Sequence, residues 1–160
     1  LEIRNTNLMP VETDLASELA LAQNTLAKEI LVSGARVLAD FTDGRNVVTI
    51  QAYVQNIFLT LLDNAIKYRD LNKQLEVRVT ARSEGGYLCI NFSDNGLGID
   101  TEQYGGKLFN LYARFHPEIE GKGMGLFLVK MQLEAMGGRI SVESVVGLGT
   151  TFTLYFKKEK

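Results

Sequence analysis

Residues 74–98 read QLEVRVTARSEGGYLCINFSDNGLG, and the fold class turns on this stretch. Leu75, Val77, Val79 and Ala81 alternate with Glu76, Arg78, Thr80 and Arg82, and after Gly85-Gly86 the set Leu88, Ile90 and Phe92 alternates again. Successive side chains of a strand point to opposite faces, so a period of two marks a strand buried on one side. Two such runs joined by a glycine pair predict an antiparallel hairpin with one covered face. The cover lies just upstream. From Gln51 to Tyr68 the period lengthens, and Val54, Ile57, Phe58, Leu61, Leu62 and Ala65 form the broad apolar stripe of an amphipathic helix.

Further out, Leu15, Leu19, Ala22, Leu26 and Ile30 recur at helical spacing, predicting one helix from Val11 to about Val32. Residues 35–41 and 46–50 are β-type runs separated by Asp43-Gly44, a turn dipeptide, and predict a hairpin. Downstream, residues 95–123 are punctuated by glycine, Leu126 to Met136 has helical spacing, and alternating runs at 139–145 and 151–157 close the chain as another hairpin. Antiparallel hairpins interleaved with helices, without strict strand-helix alternation, predict a two-layer α/β sandwich. Its sheet is mixed and mostly antiparallel, with about three helices packed on one face.

At 160 residues the chain fits one well-buried domain, read as residues 11–160 with residues 1–10 as a lead-in. Its 46% hydrophobic and 22% charged fractions, with two prolines, belong to an ordinary globular chain and argue against disorder. A net charge of -2 supplies no general attraction to nucleic acid or to an anionic membrane, so neither is expected as a partner. The lone Cys89 precludes an internal disulfide or a cysteine-based zinc site, and as a buried structural thiol it fits a reducing cytoplasm. No apolar run is long enough to span a membrane. A chain that opens on Leu1 reads as a piece of something longer.

Three segments carry possible chemistry. Thr60, Asn64 and Lys67 share one polar stripe of the 51–68 helix, where an Asn oxygen suits a hard cation and a lysine one turn on suits phosphate. Asp94-Asn95-Gly96-Leu97-Gly98 puts a carboxylate at a strand end beside two glycines that let backbone approach a flat ligand; the carboxylate can accept from an adenine amino group. Gly121-Lys122-Gly123-Met124-Gly125 runs into the helix beginning near Leu126, whose leading N–H groups suit a triphosphate. It is neither the dinucleotide GxGxxG nor a P-loop. Taken singly, the three are equally a solvated helix face, an Asx turn and a hinge. Eleven of the 15 glycines lie from Gly96 onward, seven of them between residues 96 and 125, a stretch that resembles a mobile lid with Lys107, Arg114 and Lys122 as its positive charge. His116, the single histidine, has no partner for a metal and is read as a surface residue.

Taken in order, the segments resemble the catalytic domain of histidine kinases, in the Bergerat-fold superfamily that also holds gyrase, a heat-shock chaperone and mismatch-repair ATPases. Asp63-Asn64-Ala65-Ile66-Lys67-Tyr68 resembles the N box and Asp94 to Gly98 the first glycine box. Leu108-Phe109-Asn110-Leu111-Tyr112 resembles the F box, Gly121 to Leu126 the second glycine box, and Gly147-Leu148-Gly149-Thr150-Thr151-Phe152 the last glycine motif. The resemblance implies that Asn64 ligates magnesium, Lys67 contacts phosphate, Tyr68 lines the pocket and Asp94 binds the adenine amino group. Gly96, Gly98, Gly121, Gly123, Gly125, Leu126, Lys122 and Thr150 would shape the ATP pocket and lid, with Arg114 near the terminal phosphate.

One position departs from the pattern. Many family members carry a second Asn one turn before the metal-binding one, where this chain has Thr60, a shorter oxygen ligand, which puts metal coordination there in doubt. In the hydrolytic ATPases of the superfamily a glutamate in about that place activates water, and a threonine cannot act as that base. Transfer of the γ-phosphate to an external nucleophile is therefore favoured over hydrolysis. The resemblance implies an acceptor histidine on a preceding dimerisation segment, of which the first residues would be the fading end, and a response-regulator receiver domain downstream. The isolated chain is then not expected to phosphorylate itself. An anti-sigma-type protein-serine kinase on the same fold, or a docking module without kinase activity, remain the alternatives.

Overall fold

The computed structural model describes residues 8–110 and 125–159. Its central element is helix α3 (Gln51–Lys67), which buries the stripe read from the sequence: Val54, Ile57, Phe58, Leu61, Leu62 and Ala65, joined by Ile66. In chain order the other elements are β1 (Pro10–Asp14), α1 (Leu15–Thr25), α2 (Ala27–Ser33), β2 (Arg36–Asp40), β3 (Asn46–Ile50), β4 (Glu76–Glu84), β5 (Tyr87–Asp94), the short α4 (Thr101–Tyr104), α5 (Gly125–Ala135), β6 (Arg139–Val145) and β7 (Gly149–Lys157). A five-stranded sheet runs in the order β2-β4-β5-β7-β6, and β1 and β3 form a separate pair. Apart from the parallel β2–β4 pair, every neighbour in the large sheet is antiparallel.

One face of that sheet presents Val77, Val79, Ala81, Leu88, Ile90, Phe92, Phe152, Leu154 and Phe156 to α1, α3 and α5, and these residues form one contiguous core. The expected two-layer sandwich is the architecture found. The hairpin of β4 and β5 pairs Val79 with Phe92 and Ala81 with Ile90, so the alternation that marked it places all four side chains inward. The outer face is mostly polar. Cys89 is nevertheless fully buried there, opposite Tyr155, whose ring carries the Arg139 guanidinium 3.6 Å from its centroid. Burial pushes the Cys89 thiol up, in keeping with a structural role.

Two sequence expectations are corrected. The single helix expected over 11–32 is a strand followed by two helices. Residues 10–14 pair antiparallel with 46–50, and the buried side chains there are Thr13, Val47 and Thr49, with the two threonine hydroxyls bonded at 2.6 Å. Because the buried side of β1 is written in threonine, no apolar alternation announces it. Asp14 then caps α1 by accepting from the N–H groups of Ala16 and Ser17, and the helical path breaks at Leu26. The hairpin expected over 35–50 does not form. β2 leaves for the large sheet, where Val37 and Ala39 register with Val77 and Val79, while β3 pairs with β1. Pro10, Val48, Ile50, Met136, Lys157 and Lys158 line a groove at the end of β7.

Candidate functional site

β5 ends at Asp94 and β7 begins at Gly149, and the register sets Asp94 beside Thr150. The chain turns sharply after Asp94 because its Oδ1 accepts from the N–H of Gly96 at 2.8 Å. Gly96 is held close: a Cβ there would lie 2.7 Å from the carbonyl oxygen of Tyr68. That carbonyl, at the end of α3, accepts from the N–H of Leu97 at 2.9 Å and so ties the turn to the helix. Gly98 takes φ +75° and passes so near β6 that a Cβ would meet the Val145 carbonyl oxygen at 2.2 Å, so no other residue fits.

These constraints open a narrow cleft lined by Leu61, Asn64, Ala65 and Tyr68 of the α3 segment, Phe92 and Asp94 of β5, Gly98 and Ile99, and Thr150 and Phe152 of β7. Its walls are apolar, with an amide, a carboxylate and a hydroxyl converging on them, the pattern of a site for a flat, partly polar ligand. Burial raises the Asp94 carboxyl above its ordinary range, and the backbone N–H groups of Gly96 and Thr150 oppose that rise. The Ser144 hydroxyl accepts from Ile99 N–H at 2.7 Å, donates to Gly149 O at 2.9 Å, and lies 2.7 Å from Thr150 Oγ1. With its one proton given to Gly149, Ser144 accepts from Thr150, which fixes the Thr150 side chain. Outside the cleft, Lys73 Nζ donates to Gly147 O at 2.7 Å and to Asn95 O at 3.4 Å, stapling two glycine-containing turns together.

Of the residues singled out from the sequence, Asn64, Tyr68, Asp94, Gly98 and Thr150 line the cleft and Gly96 supports it from behind. Lys67 is outside the wall, exposed, with Nζ 3.3 Å from the Asp63 carboxylate. Leu126 is buried in the core, and Gly125 opens α5 against Thr60. Thr60 is not in the wall either: its hydroxyl lies 3.4 Å from Asn56 Oδ1, one turn back along α3. In the expected F box, Leu108 is buried and the Phe109 ring meets Phe152 edge-on at 6.3 Å. Gly121, Lys122, Gly123, Arg114 and His116 lie outside the described residues. Leu61, Ala65, Phe92, Ile99 and Phe152 were not singled out as site residues. Leu61 and Ala65 flank Asn64 on the stripe that also builds the core, so spacing alone does not separate a pocket wall from the interior.

Residues 49–160 match the family described as histidine kinase-, DNA gyrase B-, and HSP90-like ATPase. The chain belongs to that family. The ATPase domain is 42% identical over 103 residues to the methanogenesis regulatory histidine kinase FilI of Methanothrix harundinacea, a match covering 63% of this chain and 12% of that protein. It is 32% identical over 142 residues to cyanobacterial phytochrome A of Nostoc sp., covering 88% and 18%. The chain thus spans between 12% and 30% of the length of the first curated relatives it matches. In backbone the ATPase domain is similar to the catalytic domain of histidine kinase ThkA, with TM-score 0.79 at 16% identity over 93% of this chain and 97% of that one. The mycobacterial sensor histidine kinase MprB gives 0.78 at 20%, with coverage of 93% and 97%. At such identities the likeness is one of fold. Membership makes this an ATP-binding domain, and its curated relatives include several named as histidine kinases. Among the described residues, no helix is long and apolar enough to cross a membrane.

Proposed function

We propose that the chain is the ATP-binding catalytic domain of a sensor histidine kinase, spanning residues 11–160, and that the cleft between α3 and the ends of β5 and β7 holds Mg-ATP. The observation that carries the reading is the convergence of Asn64 and Asp94, thirty residues apart in sequence, on one apolar-walled cleft. The Asp94 carboxylate accepts from the adenine amino group, Gly98 lets the base lie against backbone, and Leu61, Ala65, Ile99 and Phe152 cover its faces. Asn64 supplies a carbonyl oxygen toward the phosphates. No cluster of three or more carboxylate, histidine or cysteine side chains stands ready for a metal among the described residues. The Asn64 amide oxygen is a hard donor that would hold magnesium arriving with ATP. When bound, the cation would supply charge neutralisation at the phosphates. Lys67 reaches them by leaving Asp63, an exposed pairing that costs little to break. Gly121, Lys122, Gly123, Gly125 and Leu126 belong to the same proposed ATP site as phosphate-binding residues, and Arg114 is assigned to the terminal phosphate.

Transfer then needs positioning more than covalent chemistry from this domain. A histidine ring nitrogen on a dimerisation segment of the kinase attacks the γ-phosphorus while the bond to the ADP oxygen breaks, and a response-regulator receiver domain takes the phosphoryl group onward. Calorimetric titration with a nonhydrolysable ATP analogue tests the site: binding should require magnesium, weaken with Asn64→Ala and be lost with Asp94→Asn. Binding indifferent to both substitutions would sink the assignment. The phosphorylated product of the intact kinase should be acid-labile, as a phosphohistidine is; an acid-stable product would instead indicate a serine kinase on this fold.

A further inference from the structure

The helix that presents Asn64 carries polar residues on earlier turns that the cleft does not use. Thr60 Oγ1 donates to Asn56 Oδ1 at 3.4 Å, and Asn56 Nδ2 donates to Gln132 Oε1 of α5 at 2.7 Å. On its other branch Thr60 carries a methyl, and a Cβ built on Gly125 would lie 2.9 Å from that carbon. Thr60 therefore faces the first residue of α5 while Asn56, one turn back, meets a residue two turns into it. α5 runs back along α3, and its amino end lies beside the half of α3 that bears Asn64.

Two methyl carbons in contact rest about 3.5 to 4.0 Å apart, so a side chain at residue 125 would force the two helices to separate or Thr60 to turn. We propose that Thr60 is a positioning residue. Its methyl, with its hydroxyl tied through Asn56 to Gln132, sets how closely the amino end of α5 approaches α3, and so where the leading N–H groups of α5 stand relative to the phosphates. This rests on the ATP reading and deepens it. It also gives Thr60 a task other than metal ligation: the hydroxyl is turned along the helix toward Asn56, and the methyl needs a glycine opposite. N–H groups at a helix start attract phosphate only within the first turn. A shift of the helix by about the difference between the two contact distances therefore weakens phosphate binding while leaving the adenine end, fixed by Asp94, in place.

The test titrates a nonhydrolysable ATP analogue, and separately adenosine, into wild type, Gly125→Ala, Thr60→Ser and the double variant. Serine keeps the hydroxyl and lacks the methyl. Gly125→Ala should weaken the analogue by on the order of tenfold with little effect on adenosine, and adding Thr60→Ser should recover most of that loss. A Gly125→Ala protein that binds the analogue normally, a loss that Thr60→Ser does not relieve, or an equal loss of adenosine would overturn the proposal. Asn56→Ala unties the same seam without adding an atom and should show the same selective loss; unchanged affinity would overturn it too. If wild type binds neither ligand, the ATP reading falls and this inference with it. If wild type binds and Asp94→Asn abolishes binding, yet no rescue is seen, this inference alone falls.

Discussion

Asp94 meets two opposing demands with one carboxylate. Under the proposed adenine contact it accepts best when ionised, yet its burial lifts its pKa above the ordinary 3.8. A carboxyl whose folded pKa lies above its unfolded one binds its proton more tightly in the native state, so the charged form costs stability, and that cost fades as pH falls through the folded pKa. Two outcomes follow. Asp94→Asn should lose nucleotide affinity at neutral pH while melting at the same temperature as wild type or higher, because an amide oxygen can still accept from Gly96. A clear fall in Tm would mean the carboxylate is structural. Adenosine affinity of the wild type should decline on acidification with a midpoint above 3.8, and a midpoint below that value would contradict the burial argument. At this scale the sequence was informative where a residue type has few other uses, as with a carboxylate ahead of two glycines. It was silent on side-chain direction: nothing in the spacing of Thr60, Asn64 and Lys67 tells that the first turns to Asn56 and the last to Asp63.

Among the elements, β1 and α1 meet at Asp14, which caps the helix and receives the Arg45 guanidinium from two nitrogens, Nε at 3.0 Å and Nη2 at 3.0 Å. The Arg45 contact, ahead of the cap, holds the Asp14 carboxyl below its usual range. A depressed carboxyl stabilises above its unfolded pKa, and the contribution is lost as pH falls through the folded one. Asp14→Ala should therefore lower Tm by a few degrees at neutral pH, and the gap from wild type should narrow in acid. A gap that stays constant into acid would remove the charge from the explanation. The same junction explains a misreading. Leu15, Leu19 and Ala22 are a true helical face, and the pattern ran on through Leu26 and Ile30 because α2 also packs Ile30 against the core. Two helices meeting at a break share one apolar phase, so periodicity reports the covered face and misses the joint. The Asp43-Gly44 turn misled for the reverse reason: it is a turn, but the strands beside it find better partners in β4 and β1.

For the molecule as a whole, the core depends on α3 lying across the middle of the sheet. Phe58 is fully buried and its ring stands 6.3 Å from that of Phe92 on β5. Phe58→Ala should cost about 3 to 5 kcal/mol, read as a drop in the denaturant midpoint, and a loss well under that range would mean the layers collapse to fill the space. Helix-on-sheet layering was legible because α3, β4 and β5 each announce their buried side with an unbroken apolar period. The pairing partners of β2 and β3 were not, since strand partners far apart in sequence are chosen by what the rest of the sheet leaves free.

The groove at Pro10 and Lys158 lies at the far end of β7 from Thr150, so groove and cleft stand at opposite ends of one strand. At about 3.4 Å per residue the nine residues of β7 hold these poles about 27 Å apart. The sheet acts as a lever: a swing of about 15° about the groove end would carry the cleft through about 7 Å. A rotation about that end would therefore displace the cleft as a whole, with no change inside the cleft itself.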